Sequence, residues 1–506
     1  MKRLQRTRRL FAFLRLHRAE LFSEEFQAEL EGMYRDTGAG SEPVAPAVLC
    51  MALILQGYLA VSDAEAVELT IVDARWQMVL DCLGAADPLF GQGTLQQFRE
   101  RLIRNDMDRR LLERTRELAK ETAGFDWKKL PKDLRVAVDS RPLEGAGRVE
   151  DTLNLLGHVA RKIVEGAANL LEREYEDVCR LAGIPLLLRS STKAALDVKN
   201  WSDPEQRDRA LEVLLEQVTS LHGWLDKKKL LVDSSLQPYI AAIAQVRKQD
   251  IDESVGGHPR IRQEVARDRR VSVEDPEMRH GRKSRSKRFN GFKEHIAADL
   301  DSDLILACAV TPANVPEETA APELHADMKR QKLRIAELSI DRAYINSEMV
   351  EDVQADGGEV LCKPWSGRNT RVDLFGKKDF KIDMRRKTIT CPAGQVEVFE
   401  PGEVVHFDPE SCGACPLRKQ CTHSASAGRS VQIGEDEQLQ QRLRKLSSTP
   451  SGRARLRART AIEHRLAHIA ARKGPKARYR GTRKNLFDLR RAATIQNIET
   501  IQRRAA

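Results

Sequence analysis

The chain has 506 residues, with 85 Lys and Arg against 75 Asp and Glu, a formal net charge of +10. This length allows roughly three domains of about 150 residues each. No stretch approaches the roughly 20 uncharged apolar residues that span a bilayer. The longest apolar stretch, residues 45–60, is interpreted as a buried helix, so we expect a soluble protein without a membrane partner.

The amino-terminal residues are basic and partly apolar, as in a targeting peptide. A secretory signal needs about 7 to 15 uninterrupted apolar residues, whereas the run at residues 10–14 is followed by Arg15 and Arg18. We therefore expect a cytoplasmic protein. The nine cysteines, an odd number, fit reduced thiols, some of them metal ligands, better than a disulfide framework.

The positive charge is concentrated in two segments. Residues 441–506 hold 19 Lys or Arg against three acids, and residues 279–293 hold seven Lys or Arg and no acid. Phosphate backbones are the expected partner, because neutralising them releases counterions. A solvated helix face and a flexible loop are the alternative. The candidate phosphate-binding residues of the second segment are Arg282, Lys283, Arg285, Lys287, Arg288 and Lys293.

The first segment, residues 1–128, is predicted to be a helical domain. Apolar residues recur at helical spacings, and Ser62 with Glu65 forms a capping box. Residues 94–105 could form a helix that contacts DNA, but an ordinary amphipathic surface helix has the same pattern. Both interpretations remain open for this helix.

Beyond this domain the pattern changes to strands. Apolar residues recur at every second position before Asp139, which predicts a strand that ends there. Residues 156–255 have helical periodicity and are predicted to form a helical insertion. The strand pattern then resumes: two strands over residues 295–317, a helix over 319–332, and a strand over 334–340.

The order of these elements is typical of an α/β fold with an RNase H-like mixed sheet flanked by helices. The last strand leads directly into Asp341, as the first leads into Asp139. If these two strands are parallel neighbours, about 4.8 Å apart, both carboxylates project from one sheet edge. Taken singly, a strand-end aspartate is more often a turn or cap residue, whereas the joint placement favours a metal site.

A third acid completes the candidate site. Glu463 lies in a predicted helix over residues 454–472, at the border of an apolar stripe that would pack on the sheet. Arg459, one turn earlier, could bind a phosphate or pair with Glu463. Two divalent ions about 3.5 to 4 Å apart can clamp the attacking and leaving oxygens of a phosphodiester. Mg²⁺ or Mn²⁺ is the expected cofactor, since Mg²⁺ takes only one or two carboxylates beside phosphate oxygens.

These residues resemble the motifs of DDE transposases of bacterial insertion sequences. LQGYLAVSDAEAVELTIVDARWQ at residues 55–77 looks like their amino-terminal domain, and VDSRPLEGAGRVEDT at 138–152 looks like their first-aspartate block. Residues 275–314 resemble the segment of their second and third strands, and DRAY at 341–344 resembles their second-aspartate block. The likeness covers most of the chain.

The signature around the last acid is matched at its core. Arg459 and Glu463 have the family's spacing of arginine, three residues and glutamate. The family commonly has tyrosine and lysine at the positions of Leu456 and Ala470. A basic residue nearby could substitute for that lysine; the candidates are Arg472 and Lys473.

The resemblance implies a function for the three acids. Asp139, Asp341 and Glu463 would bind the metal ions, and the protein would nick DNA at the element ends. The freed 3′ hydroxyl would then attack target DNA without a covalent enzyme intermediate. The implied partners are double-stranded DNA, at element ends and target, and further copies of the chain, with a nucleoid-associated location. A catalytically silent DNA-binding descendant and an RNase H-like nuclease are the alternatives.

A β-rich insertion is predicted over residues 351–439, because 121 residues separate the second acid from the third. Strands are suggested at residues 358–365 and 381–391. Trp365 could hold a flipped base, as in some related transposases, with core packing as the alternative. The predicted catalytic domain then comprises residues 129–155, 256–350 and 440–500.

Four cysteines of this insertion are candidate zinc ligands: Cys391, Cys412, Cys415 and Cys421. The two-residue spacing of Cys412 and Cys415 lets one turn present both sulfurs to a tetrahedral ion. His406 or His423 could replace one thiolate. Free buried thiols are the alternative, and the other five cysteines are interpreted as core residues.

Overall fold

A computed structural model describes residues 9–34, 43–122, 133–253, 258–365, 374–424 and 426–505. It has a mixed α/β architecture in which helices surround one six-stranded mixed sheet. The predicted domain boundaries at 128/129 and 255/256 lie outside the described residues.

The amino-terminal part of the chain is helical, as predicted. Its helices are α1 (Arg9–Leu16), α2 (Arg18–Leu21), α3 (Glu24–Glu31), α4 (Pro46–Leu59), α5 (Asp63–Val72), α6 (Ala74–Leu80), α7 (Gln92–Arg104) and α8 (Met107–Glu121). The Ser62 hydroxyl accepts a hydrogen bond from the Glu65 amide at 3.1 Å and caps α5. Helix α4 is buried over most of its length, because its apolar residues face neighbours on all sides.

Among the described residues, no single helix is long and apolar enough to cross a membrane. The pair α4 and α5 meets the length and composition criteria together but is bent by 106°.

The central sheet contains the strand order β4-β5-β1-β7-β8, with β6 paired to β5 beside β4. These strands are β1 (Asp133–Glu144), β4 (Arg279–Arg282), β5 (Arg288–Asp299), β6 (Ile305–Pro312), β7 (Arg334–Ser339) and β8 (Glu359–Leu361). Strand β1 is antiparallel to β5 and parallel to β7. The strands that lead to Asp139 and Asp341 are thus parallel neighbours, the condition for bringing both acids to one sheet edge.

Strand β1 is longer than the sequence pattern indicated. It continues to Glu144, so Asp139 lies within the strand and not at its end. The reason is the pairing with β5, which extends from Val136 to Glu144 and supplies hydrogen-bond partners beyond the last contact with β7 at Ala137. Asp139 thus lies just past the parallel part of the ladder.

A helical unit follows β1, as the periodicity predicted. It contains α9 (Thr152–Leu171), α10 (Tyr175–Leu181), α11 (Thr192–Ala195), α12 (Pro204–Lys227) and α13 (Gln237–Asp250), followed by the short strands β2 (Ile251–Asp252) and β3 (Arg260–Ile261). Asp151 caps α9 by accepting from the Asn154 amide at 3.0 Å. Apolar faces of these helices pack on one another and form a core separate from that of the sheet.

One strand predicted for the insertion, β8, belongs to the main sheet instead. The sequence predicts an insertion strand over residues 358–365, but the strand found there, β8, pairs in parallel with β7 and belongs to the main sheet. Val360 and Leu361 are buried there, which explains the pairing. The connecting helices are α14 (Ala321–Arg330) and α15 (Glu348–Ala355).

A small β-rich unit follows. It contains β9 (Lys381–Asp383), β10 (Thr388–Thr390), β11 (Val396–Val398), β12 (Val404–His406), α16 (Pro409–Gly413), α17 (Arg418–Cys421) and β13 (Ser430–Gln432). Residues 381–391, predicted as one strand, form the hairpin β9–β10 because the chain turns at Lys387, which has φ 51°. Phe380 and Phe407 are central to a core confined to this unit.

Four helices end the chain: α18 (Glu437–Ser448), α19 (Pro450–Ala458), α20 (Thr460–Lys473) and α21 (Thr482–Arg504). The predicted helix over residues 454–472 is thus divided between α19 and α20. Helix α21 packs between the amino-terminal helices and the sheet, and Arg490 and Arg491 are buried there, whereas Lys484, Arg503 and Arg504 are exposed.

Arg490 joins three parts of the fold from within α21. Its side chain is 3% exposed and lies 2.6 Å from Asp106, 3.2 Å from Asp108 and 3.3 Å from Asp327. These acids belong to the amino-terminal helices and to α14 beside the sheet. A part of the basic segment 441–506 therefore neutralises internal acids rather than a phosphate backbone.

Replacing Arg490 tests this interpretation. Arg490→Leu removes the cation shared by Asp106, Asp108 and Asp327. Breaking a buried ion pair costs about 3–5 kcal/mol, so we expect a clearly lower Tm by circular dichroism. The exposed Arg503→Leu is the control and should melt like the wild type. An unchanged Tm for Arg490→Leu would contradict a structural role for this cation.

Candidate functional site

Asp139 is held in place by two hydrogen bonds. Its Oδ1 accepts from the Ser140 amide at 2.8 Å, and its Oδ2 accepts from the Arg459 guanidinium at 2.7 Å. The side chain is 15% exposed. Burial raises the pKa of Asp139, the charge on Arg459 opposes that shift, and the nearby charge of Asp341 adds to it. Arg459 therefore favours the ionised form of this carboxylate.

Asp341 lies two residues beyond the end of β7. It caps the short 3₁₀ helix Arg342–Tyr344, and its Oδ1 accepts from the Arg342 amide at 2.6 Å. The residue is exposed. Because β1 and β7 are parallel neighbours, the chain delivers Asp341 to the same sheet edge as Asp139.

Glu463 reaches this edge from the first turn of α20. Ile462, Leu466 and Ile469 are buried against the sheet, as the predicted stripe requires. The Glu463 side chain is 53% exposed, and its Oε1 lies 3.3 Å from the Arg459 guanidinium. Helix α20 thus carries the third acid to the sheet edge and leaves it accessible.

Arg459 links two of the three acids. One guanidinium nitrogen contacts Asp139 and the other contacts Glu463. Among the described residues, no group of three or more His, Cys, Asp or Glu is arranged to hold a metal ion. In this conformation the arginine, rather than a convergent carboxylate cage, balances the negative charge.

Glu317 is a neighbouring acid that the sequence analysis missed. It begins a short 3₁₀ helix after β6, hydrogen-bonds with Ser140 and lies near Lys293. Burial raises its pKa, and the Ser140 and Lys293 contacts oppose the shift. Strand β6 runs in the direction of β1, because both are antiparallel to β5. The position of Glu317 shortly after the end of β6 is the sequence feature that could have identified it as a site residue.

Behind the acids lies a buried hydrogen-bonded chain. The His295 ring contacts the Tyr344 hydroxyl at 2.7 Å and the Thr311 hydroxyl at 2.9 Å. Burial, aided by the charge of Lys293, lowers the pKa of His295 to about 3, so the ring is neutral. A neutral ring has one donor and one acceptor and can satisfy both hydroxyls. Tyr344, from the DRAY motif, is therefore fixed beside the site.

Two basic residues assigned to DNA by the resemblance have partners inside the protein. Lys473 is 5% exposed and lies 2.5 Å from Glu294 and 3.0 Å from Asp488. Arg472 pairs with Glu499 at 2.7 Å and is 16% exposed. The structure thus gives both cations internal ion pairs.

The basic segment 279–293 has a different setting. It forms the hairpin between β4 and β5, which we call the basic hairpin. Five of its cations are exposed to solvent: Arg282, Lys283, Arg285, Lys287 and Arg288. Lys293 is half-buried, donates to the Val315 carbonyl at 2.8 Å, and has a pKa lowered by burial. The outer cations are accessible to a polyanion.

Trp365 lies near the second aspartate. Its ring is 48% exposed, and the Arg342 guanidinium lies 5.7 Å from the ring centre. Its amide donates to the Gln440 side chain at 2.9 Å. The ring therefore remains available to solvent and is not core packing.

The four cysteines of the small β-rich unit come together. Cys391, Cys412, Cys415 and Cys421 line one small cavity of about 20 Å³, with Phe375 and Phe407 beside them. Burial raises the pKa of Cys421, and the other three sulfurs lie close enough to add to the shift. The remaining cysteines lie elsewhere, and four of the five are buried: Cys50, Cys179, Cys308 and Cys362.

Comparison with known families accounts for both ends of the chain. Residues 390–502 match the model described as transposase DDE domain, and residues 3–101 match the transposase domain DUF772. The first match includes Glu463 and all four clustered cysteines and begins after both aspartates. No curated protein and no solved structure matches the chain. The two family matches support a DDE-type transposase of insertion sequences.

Proposed function

We propose that the protein cleaves DNA at the inverted repeats of an insertion sequence and transfers the freed ends to a target, with Asp139, Asp341 and Glu463 as the catalytic acids. One observation carries the proposal. The parallel β1–β7 pairing and the packing of α20 deliver three acids, distant in sequence, to one edge of one sheet.

The sheet topology supports an RNase H-like catalytic domain. Strands β6, β5 and β1 are successively antiparallel, and β7 and β8 then follow in parallel with β1. This order matches the sequence of strand, strand pair, helix and strand that the motif analysis predicted. We propose that the helical unit 156–255 and the β-rich unit are inserted into this domain.

The donor set fits magnesium or manganese chemistry. Carboxylate oxygens are the ligands that hard divalent cations take in phosphoryl-transfer sites. When bound, such ions stabilise the attacking and leaving oxygens of an in-line displacement. The Arg459 bridge supplies a positive charge in contact with both Asp139 and Glu463. We propose that Arg459 exchanges this role for contact with a DNA phosphate.

Hydrogen bonds within the chain orient the two aspartates. The Ser140 amide and the Asp341 cap to Arg342 fix the directions of both aspartates. In the first step, water adds to a phosphodiester and a 3′ hydroxyl leaves. In the second step, that hydroxyl adds to a target phosphodiester and displaces the target's own 3′ oxygen. Two element ends must be joined, so we propose that the protein acts as a homo-oligomer on DNA.

Single replacements of the three acids test the proposed site. Asp139→Ala, Asp341→Ala and Glu463→Ala should each reduce Mg²⁺-dependent nicking of end DNA to background while retaining end binding, because each removes a proposed ligand. Glu351→Ala, an exposed acid on α15, is the control and should cut normally. A variant that still cuts would remove its residue from the site.

The alternative of a silent DNA-binding descendant rests on Leu456 and Ala470, which replace the family's usual tyrosine and lysine. Nicking by the wild-type chain with Mg²⁺ or Mn²⁺ would exclude it. Cutting without joined products would instead indicate a nuclease.

We also propose that the basic hairpin contacts the DNA backbone. Replacing Arg285 and Lys287 together with Ala should weaken end binding and lower the salt dependence of log K by about 1.8, since each lost phosphate contact contributes about 0.9. Lys227→Ala with Lys228→Ala, exposed at the carboxyl end of α12, removes the same charge elsewhere and is the control. Equal effects of both pairs would mean that only net charge matters.

A structural zinc ion in the cysteine cavity is a further proposal. Four sulfurs around one cavity provide the donors of a closed tetrahedral site, although they are not arranged as a metal cluster here. Metal analysis of the purified protein should find about one zinc per chain, and Cys412→Ser should lose it. Cys82→Ser, in the amino-terminal domain, should retain zinc. A metal analysis that finds no zinc in the wild-type protein would contradict the proposal.

A further inference from the structure

A groove of about 720 Å³ lies beside the basic hairpin. One wall is the hairpin itself, with Arg282, Arg288 and Asn290. The facing wall is formed by the loop that contains Arg267 and by the turn after β6. Asn314 of that turn fastens the two segments together, because its side-chain amide donates to the Arg267 carbonyl at 3.0 Å.

The charged residues that line this groove are all cations. Its cations are Arg267, Arg282, Arg288 and Lys293, and no acidic residue lines it within the described part of the chain. Arg267 and both hairpin arginines are exposed. Arg267 lies outside the basic segment that the sequence analysis singled out. Cations on two facing walls form a channel for a phosphate chain rather than a flat patch.

The groove is close to the proposed catalytic edge. Lys293 pairs with Pro142 on β1, three residues from Asp139, which corresponds to about 10 Å along a strand. The turn that forms the second wall ends at Pro316, directly before Glu317. The groove therefore lies near the strand that carries Asp139.

We propose that this groove binds a single DNA strand, held by its phosphates between Arg267 and the basic hairpin. The inference rests on the proposed DNA-processing function. The volume falls in the range of ligand pockets, about 300–1,000 Å³, and suits one or two nucleotides. A duplex is the bulkier ligand, because its two backbones are separated by a major groove of about 12 Å, so a groove of this volume favours the single strand. Strand separation at a cleaved end would supply the single strand.

The test measures binding of a fluorescent ten-nucleotide thymidine oligomer by anisotropy, in EDTA and at several salt concentrations. Arg267→Ala should weaken binding several-fold and lower the salt dependence of log K by about 0.7, the contribution of one single-strand phosphate contact. A blunt duplex of the same length should bind the variant and the wild type equally. Lys227→Ala is the matched control, and melting curves verify that Arg267→Ala is folded.

Two results would overturn the inference. One is wild-type affinity of folded Arg267→Ala for the oligomer. The other is an equal loss for oligomer and duplex, which would show a general electrostatic patch. Because binding in EDTA requires no catalysis, the Arg267 effect can persist when nicking assays fail. Conversely, if the protein nicks DNA but Arg267→Ala binds the oligomer like the wild type, the proposed function stands and the proposed role of this groove fails.

Discussion

The pairing of β1 with two different neighbours is the constraint on which the site depends. The parallel ladder with β7 ends at Ala137, while the antiparallel ladder with β5 continues to Glu144. At Asp139, strand β1 is therefore paired with β5 on one side and is no longer paired with β7 on the other. The unpaired side faces the chain leaving β7, where Asp341 caps the next turn. Shifting β1 by one residue would turn Asp139 to the opposite face of the sheet and separate it from Arg459.

Electrostatics explains how the acids coexist before any cation binds. Burial disfavours the charged form of Asp139, and Arg459 compensates by contacting both Asp139 and Glu463. Other arginines of the same basic segment have similar roles deeper in the fold, as Arg490 shows. Part of the segment that looks like a phosphate-binding tail in sequence is therefore an internal counter-charge. Other cations of this segment, such as Arg457 and Lys476, are exposed, as are those of the basic hairpin and Arg267.

The sequence predicted the elements well where the pattern is local. The strands before both aspartates, the apolar stripe beside Glu463 and the helical insertion all follow from periodicity. The length of β1 did not, because its extension depends on pairing with a strand about 150 residues away. The break before α20 has no proline or glycine within residues 454–472 to signal it. The burial of Lys473 depends on Glu294, whose proximity only the folded sheet creates.

The central claim is that the three acids exchange the Arg459 bridge for divalent ions when DNA is present. A crystal structure with Mn²⁺ and an uncleaved element end would test it most directly, because Mn²⁺ can be located by its anomalous scattering. We expect Mn²⁺ bonded to carboxylate oxygens of Asp139, Asp341 and Glu463, with the Arg459 guanidinium on a phosphate. Manganese bound elsewhere, with Arg459 still bridging Asp139 and Glu463, would contradict the claim.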